Sequence, residues 1–174
     1  MSPRRFLLLI LITGTALMLA VVASVAAVAP SREDVLFDEP IILSGVCPFD
    51  VQITPLTSGE IITTFFDQSD NVVMQLTTGP LKVRATNLAT GESRTLNISG
   101  PGRALIDEDR GTFTQEGPWL TVVLPGAFQE EPELAGLFLT KGRVVYEFDP
   151  ETGDFLGYIS FPNQRGNLCE TLAR

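Results

Sequence analysis

The chain has 174 residues, with 21 acidic against 12 basic side chains and no histidine. A net charge of −9 sets it against nucleic acid and anionic membrane surfaces. The missing histidine removes Ser-His-Asp and Cys-His nucleophilic catalysis and His-based zinc sites.

Taken in chain order, the first five residues carry Arg4 and Arg5, and residues 6–29 carry no charge. Small residues crowd the end of that run: Ala23, Ser24, Ala26, Ala27 and Ala29. A basic start, an apolar stretch and an A-x-A-like exit describe a secretory signal. Cleavage is expected before Ala27 or before Val28, in the region of Ala26 and Ala27. The rival reading is an uncleaved anchor, because the apolar run exceeds the ~20 residues that span a bilayer. Either way the arginines orient the C-terminus outward. No cysteine ends the run, which sets aside a lipoprotein. Without residues 1–29, Arg4 and Arg5 are lost, leaving 10 basic against 21 acidic residues and a net charge of −11.

Residues 30–44 read as a polar linker, with 30–39 acidic and without a clear period. From residue 45 to 174 the texture is that of one β domain. Short β-rich runs alternate with turn residues every 8–12 positions. Strands are expected at 50–55, 61–66, 72–78 and 81–87. Leu81, Val83 and Ala85 face one way in the last of these, and Lys82, Arg84 and Thr86 the other. Leu88-Ala89-Thr90-Gly91 turns the chain into 93–99. Ser99-Gly100-Pro101-Gly102 breaks it. Residues 104–106 and 112–115 flank a polar turn, Asp107 to Gly111. Residues 120–124 are apolar and central, and 129–134 are the one place for a short helical turn. Strand 137–140 is expected to turn at Lys141-Gly142 into 144–148, and Asp149 to Asp154 to turn into 155–161. About ten strands joined by short loops predict an all-β, meander-like antiparallel barrel or sandwich behind the N-terminal hydrophobic segment.

Cys47 and Cys169 stand at the two ends of this domain. Outside the cytoplasm such a pair reads as a disulfide, contributing about 4–5 kcal/mol by the chain-entropy model.

The acidic residues offer two chemistries, each weighed against a solvated turn. Asp107, Glu108, Asp109 and Glu116 are the members for a glycosidase-type acid pair. Asp107 and Asp109, or the Asp67/Asp70/Asn71 turn, are the members for a weak calcium site, though neither has an EF-hand pattern. Solvated turns account better for both. Asn97-Ile98-Ser99 is a glycosylation sequon inside a strand, where chance explains it. The last hairpin gathers Phe148, Phe155, Tyr158 and Phe161. Strand spacing places Phe155, Ile159 and Phe161 on one face and Tyr158 on the other. Such residues suit either a packed core or an apolar pocket.

Cys47-Pro48-Phe49-Asp50-Val51, Thr86 to Gly91, Ser99 to Gly102, Gly142-Arg143-Val144-Val145 and the closing Cys169 to Ala173 together resemble a group of small secreted proteins common in actinobacteria. The similarity covers most of residues 45–173. It implies a signal peptide, a β domain and a terminal cysteine pair, and implies no activity and no site residues. Leu168 departs from the acidic residue expected before the second cysteine. The resulting expectation is a monomeric, non-enzymatic secreted or envelope-associated domain without a cofactor. It would bind a small apolar ligand or a partner protein and touch the membrane only through residues 6–29. The alternatives are a carboxylate-dependent enzyme acting on extracellular glycans and a membrane-tethered structural domain.

Overall fold

The computed structural model describes residues 28–128, 134–163 and 165–174. The expected cleavage region at Ala26 and Ala27, and most of the expected helical turn at 129–134, lie outside them. Among the described residues no helix is long and apolar enough to cross a membrane.

The described chain is all-β and antiparallel. Its strands are β1 (Ser31–Val35), β2 (Ile41–Leu43), β3 (Val51–Ser58), β4 (Glu60–Phe66), β5 (Val72–Thr78) and β6 (Leu81–Asn87). They continue as β7 (Ser93–Asn97), β8 (Gly102–Ile106), β9 (Gly111–Val123), β10 (Gly136–Phe148), β11 (Phe155–Ser160) and β12 (Arg165–Asn167). One short helix, α1 (Leu168–Leu172), closes the chain. The larger sheet runs β1-β4-β5-β8-β9-β10-β11, and β12 shares the edge of β10 with β11. The smaller sheet runs β2-β3-β6-β7.

One long hairpin supplies strands to both sheets. Its tip is the turn at residues 67–71, and its arms are β4 with β5 in the larger sheet and β6 with β3 in the smaller one. Ile61 pairs with Thr78 and Ser58 with Leu81, so the ribbon keeps one register as it crosses between sheets. The crossing is built on Gly59 and Gly79-Pro80, where the Gly59 N–H donates to the Pro80 carbonyl at 3.0 Å. Gly79 sits at φ +132, and a Cβ there would overlap the backbone of Gly59 and Glu60. Only glycine meets both conditions. Glu60, opposite this point, is buried, and burial raises its carboxyl above the ordinary range.

β6 shows the expected alternation: Leu81, Val83 and Ala85 are buried, while Lys82 and Arg84 are exposed. The core forms where this face meets the larger sheet. Val51, Ile53, Leu81, Val83, Ala85 and Leu96 pack against Leu137 of β10 and Leu168 and Leu172 of α1, with Leu120, Val122 and Leu139 partly buried alongside. The Cys47–Cys169 disulfide is formed at the rim of this core, with a Cα–Cα distance of 5.4 Å. The Leu137 N–H donates to the Cys169 Sγ at 3.4 Å. Asn87, buried in the smaller sheet, donates through Nδ2 to the Leu172 carbonyl at 3.0 Å and accepts from the Ala89 N–H at 2.8 Å. The C-terminus is thus fixed by a covalent bond, apolar packing and one buried amide.

Several expectations need correcting. The segment read as a linker contains β1 and β2. β1 is polar and mostly exposed, so it has no period to read, but its backbone pairs along β4 from Ser31↔Thr64 to Val35↔Glu60. A short charged strand of this kind covers a sheet edge. The expected turn at Lys141-Gly142 is absent. Residues 136–148 form one strand, and the runs at 112–115 and 120–124 fuse into β9, with Gly142 paired to Gly117. The terminal helix was also unanticipated. Its signal is Asn167, whose Oδ1 accepts from the Glu170 N–H while its Nδ2 donates to the Glu170 carboxylate. That is a reciprocal cap of the capping-box kind. Leu168, the departure from the resembled pattern, is buried in the core.

Two outcomes follow for stability. Gly79→Ala lowers unfolding free energy by about 2–4 kcal/mol through backbone strain and overlap. Cys47→Ala with Cys169→Ala, opening a span of 122 residues, lowers it by about 4–5 kcal/mol. Urea titration of each variant measures both.

Candidate ligand-binding cleft

β9 and β10 are thirteen-residue strands that bend in the middle. The sequence of β9 shows why: Gly117-Pro118 stands at its centre, with Gly117 at φ +80. Glycine and proline inside a strand mark a bend or bulge. The size of the bend is read from Gln115 and Thr121. Six residues of extended strand span roughly 20 Å, yet the Thr121 hydroxyl donates to the Gln115 Oε1 at 3.2 Å. The strand folds over on itself, and Gln115 and Thr121 face each other across the crook. The chain before β8 braces the bend from outside, since the Glu116 N–H donates to the Pro101 carbonyl at 3.0 Å and the Gly100 N–H to that of Pro118 at 3.1 Å.

The two faces of the bent pair differ. Leu120, Val122, Leu137 and Leu139 join the main core. Gln115, Thr121, Thr140, Val144 and Tyr146 alternate with them on the inner side of the bend. Tyr158 of β11 closes this side by donating its hydroxyl to the Val122 carbonyl at 2.8 Å, from one limb of the bend to the other. Aromatic rings line the approach. Phe113 lies 5.3 Å from Tyr146, Tyr146 lies 5.7 Å from Phe155, and Phe155 lies 4.8 Å from Tyr158, centroid to centroid. Phe128 stacks on Tyr158 at 4.9 Å, and Phe161 meets it edge-on at 5.5 Å.

These elements line an open-sided cleft of about 360 Å³, bounded chiefly by Gln115, Thr121, Val122, Tyr146, Phe155 and Tyr158. No charged side chain lines it. Its volume lies in the range of small-molecule sites, ~300–1,000 Å³. Burial, then the neighbouring Tyr146, pushes the Tyr158 hydroxyl up to about 12, and burial raises Tyr146 as well. Both hydroxyls are neutral donors at ordinary pH. A more extensive concavity of about 800 Å³ runs along β11 past Phe128, Leu134 and Arg165. Several of its lining residues adjoin, in sequence, stretches outside the described residues, so the smaller cleft is the better-defined site.

The residues named from sequence distribute as follows. Phe155, Tyr158 and Phe161 form one ring cluster with Phe155 exposed at its rim, while Leu156 and Ile159 are exposed outside it. Tyr158 therefore joins Phe155 and Phe161, and Ile159 leaves them. The strict two-residue alternation fails because the β10–β11 register shifts between Val145 and Tyr146 and again between Glu147 and Phe148. Phe148 lies over Gly111, away from that cluster. Asp107, Glu108 and Asp109 occupy the exposed turn between β8 and β9, where Asp107 accepts from the Glu108 N–H at 2.9 Å. Glu116 is not brought to them: it lies five residues beyond Gly111 on β9, about 16 Å of extended strand. Asp67 spends its carboxylate on its own turn, accepting from the Ser69 N–H at 2.7 Å and from the Asn71 N–H and Nδ2 at 2.9 and 3.0 Å. The Asn71 side chain, then the backbone donors, hold its carboxyl below the usual range. Asn97 ends edge strand β7, with its Oδ1 accepting from the Ser99 hydroxyl at 2.7 Å. Gln115, Thr121 and Tyr146 were not singled out from sequence, and the signal that marks them is Gly117-Pro118 inside an otherwise β-rich run.

No protein-family model, no curated protein and no solved structure matches this chain.

The raised Tyr158 sets a pH dependence. A hydroxyl held neutral in the folded state contributes stability that is intact below the unfolded tyrosine value near 10. That contribution is lost as pH rises towards about 12. Ultraviolet titration at the tyrosinate band, run beside thermal unfolding, should show both tyrosines ionising late, Tyr158 the later, and a fall in stability in that window. Tyr158→Phe should remove the later of the two transitions and cost about 1 kcal/mol at neutral pH through the lost hydrogen bond.

Proposed function

We propose that this chain is an exported, non-enzymatic binding module whose bent β9–β10 pair holds a small, largely apolar, uncharged ligand. The observation that carries this reading is the cleft: apolar and aromatic walls, a few convergent polar groups, no charge, and a suitable volume. Export rests on the N-terminal sequence pattern and on the buried disulfide, which suits an oxidising compartment. The resemblance to small secreted actinobacterial proteins points the same way. We read the two sheets, packed through a shared apolar layer, as a sandwich, with the bend in the larger sheet forming the site.

Native mass spectrometry of the protein recovered from culture medium tests both parts. The expected spectrum shows a chain beginning at Ala27 or Val28, with the disulfide intact and a noncovalent mass of a few hundred daltons that is lost on denaturation. Offering the neutral dye N-phenylnaphthylamine to the stripped protein should give saturable fluorescence at one site, weakened about tenfold or more by Phe155→Ala. Retention of the chain in the cell would refute export. Failure of the dye to saturate any site, together with a bare mass, would refute the binding reading.

A further inference from the structure

The cleft is apolar but not featureless. Gln115 is 7 % exposed, and its Oε1 is occupied by the Thr121 hydroxyl. Its amide nitrogen, with two N–H donors, has no partner among the described residues. The Tyr146 hydroxyl likewise makes no hydrogen bond there, unlike its neighbour Tyr158, which is tied to Val122. Yet no fully buried side-chain nitrogen or oxygen among the described residues lacks a partner. The Gln115 amide and the Tyr146 hydroxyl are therefore not sealed in the core. They remain reachable, and both residues line the cleft.

The strand register places these two groups together. Gln115 pairs with Val144, so Tyr146, two residues on, is its diagonal neighbour on the same face. Such neighbours lie about 7–8 Å apart at Cα, within reach of one bound molecule. Rings flank them: Phe155 and Tyr158 both contact Tyr146.

We propose that Gln115 and Tyr146 form the polar end of the cleft and select an uncharged ring compound that carries a hydrogen-bond-accepting oxygen, of the carboxamide or ketone kind. This rests on the binding reading above and narrows it. The rings take the apolar body of the ligand. The oxygen accepts from the Gln115 amide, and the Tyr146 hydroxyl serves as donor or acceptor beside it. A ligand without such an oxygen would strip water from both groups and leave them unpaired, which costs about ten- to a hundredfold in affinity. A carboxylate would be desolvated with no cation in the lining, in a chain of net charge −9.

The test is a three-probe comparison on the disulfide-bonded domain, with naphthamide, naphthalene and naphthoate binding followed by calorimetry or naphthalene fluorescence. The expected order has naphthamide at least tenfold tighter than naphthalene, with naphthoate weakest. Gln115→Leu should abolish the preference for naphthamide while leaving naphthalene within about twofold. Tyr146→Phe should reduce it several-fold without changing naphthalene. Equal affinity of the native domain for naphthamide and naphthalene overturns the proposal and leaves the apolar cleft standing, and this readout needs no variant to fold. Tightest binding of naphthoate overturns it too. Binding of none of the three removes both this proposal and the reading on which it rests.

Discussion

The close approach of Gly59 and Gly79 is the constraint on which the two-sheet arrangement depends. At that point one antiparallel ribbon leaves the larger sheet and enters the smaller without breaking register. A side chain on Gly79 would collide with backbone rather than with a movable side chain. The ribbon therefore turns sharply or not at all. Because β4 and β5 are held in one sheet and β3 and β6 in the other, the corner also brings the apolar faces of the two sheets towards each other. Leu81 and Val83 meet Leu137 and Leu172 only because the ribbon has bent.

A second bend, at Gly117-Pro118 opposite Gly142, does different work. It lies inside the larger sheet, where β9 and β10 continue on both sides of it. One face of the bent pair is used up by the core, so the inner face needs its own covering. β11 provides it, through the span from Tyr158 to Val122 and through ring contacts at Phe155 and Phe161. The covering is incomplete and leaves a cleft whose lining includes buried Gln115 and exposed Leu124 and Phe155. Polar residues on this inner face follow one rule. Thr140 donates to the Trp119 carbonyl, Thr121 to Gln115 and Tyr158 to Val122, each within the protein. Gln115 Nε2 and the Tyr146 hydroxyl stand apart from that set in the lining of the cleft. Both atoms are open to solvent, so water can satisfy them where no protein group does.

The ends of the domain are secured by interactions of unequal reach. The disulfide joins residues 122 positions apart and acts largely on the unfolded chain by limiting its freedom. Asn87 acts on the folded state, since its amide satisfies the last turn of α1 where the helix has no further residue to do so. Polar β1 adds little apolar burial. Its backbone pairing along β4 instead occupies a sheet edge that would otherwise be open to another chain.

The sequence by itself determined the β class, the alternation of β6, the turns at Leu88 to Gly91, Asp107 to Gly111 and Asp149 to Asp154, and the partnership of Cys47 with Cys169. These are local or exclusive signals: a two-residue period, turn residues in a row, and two cysteines with no other choice. Only the tertiary structure decided the rest. β1 could not be read because a solvated edge strand needs no apolar face. Lys141-Gly142 looked like a hairpin turn because glycine marks turns and mid-strand bends alike, and the pairing of Gly142 with Gly117 is what separates the two. Tyr158 changed sides because register shifts depend on the partner strand. The candidate site draws on the last two. Gln115, Thr121 and Tyr146 are spread over 32 positions of sequence with no motif among them. They become a site only when a bent sheet folds its inner face together, because strand pairing and bending are interactions between distant segments, which no local pattern records.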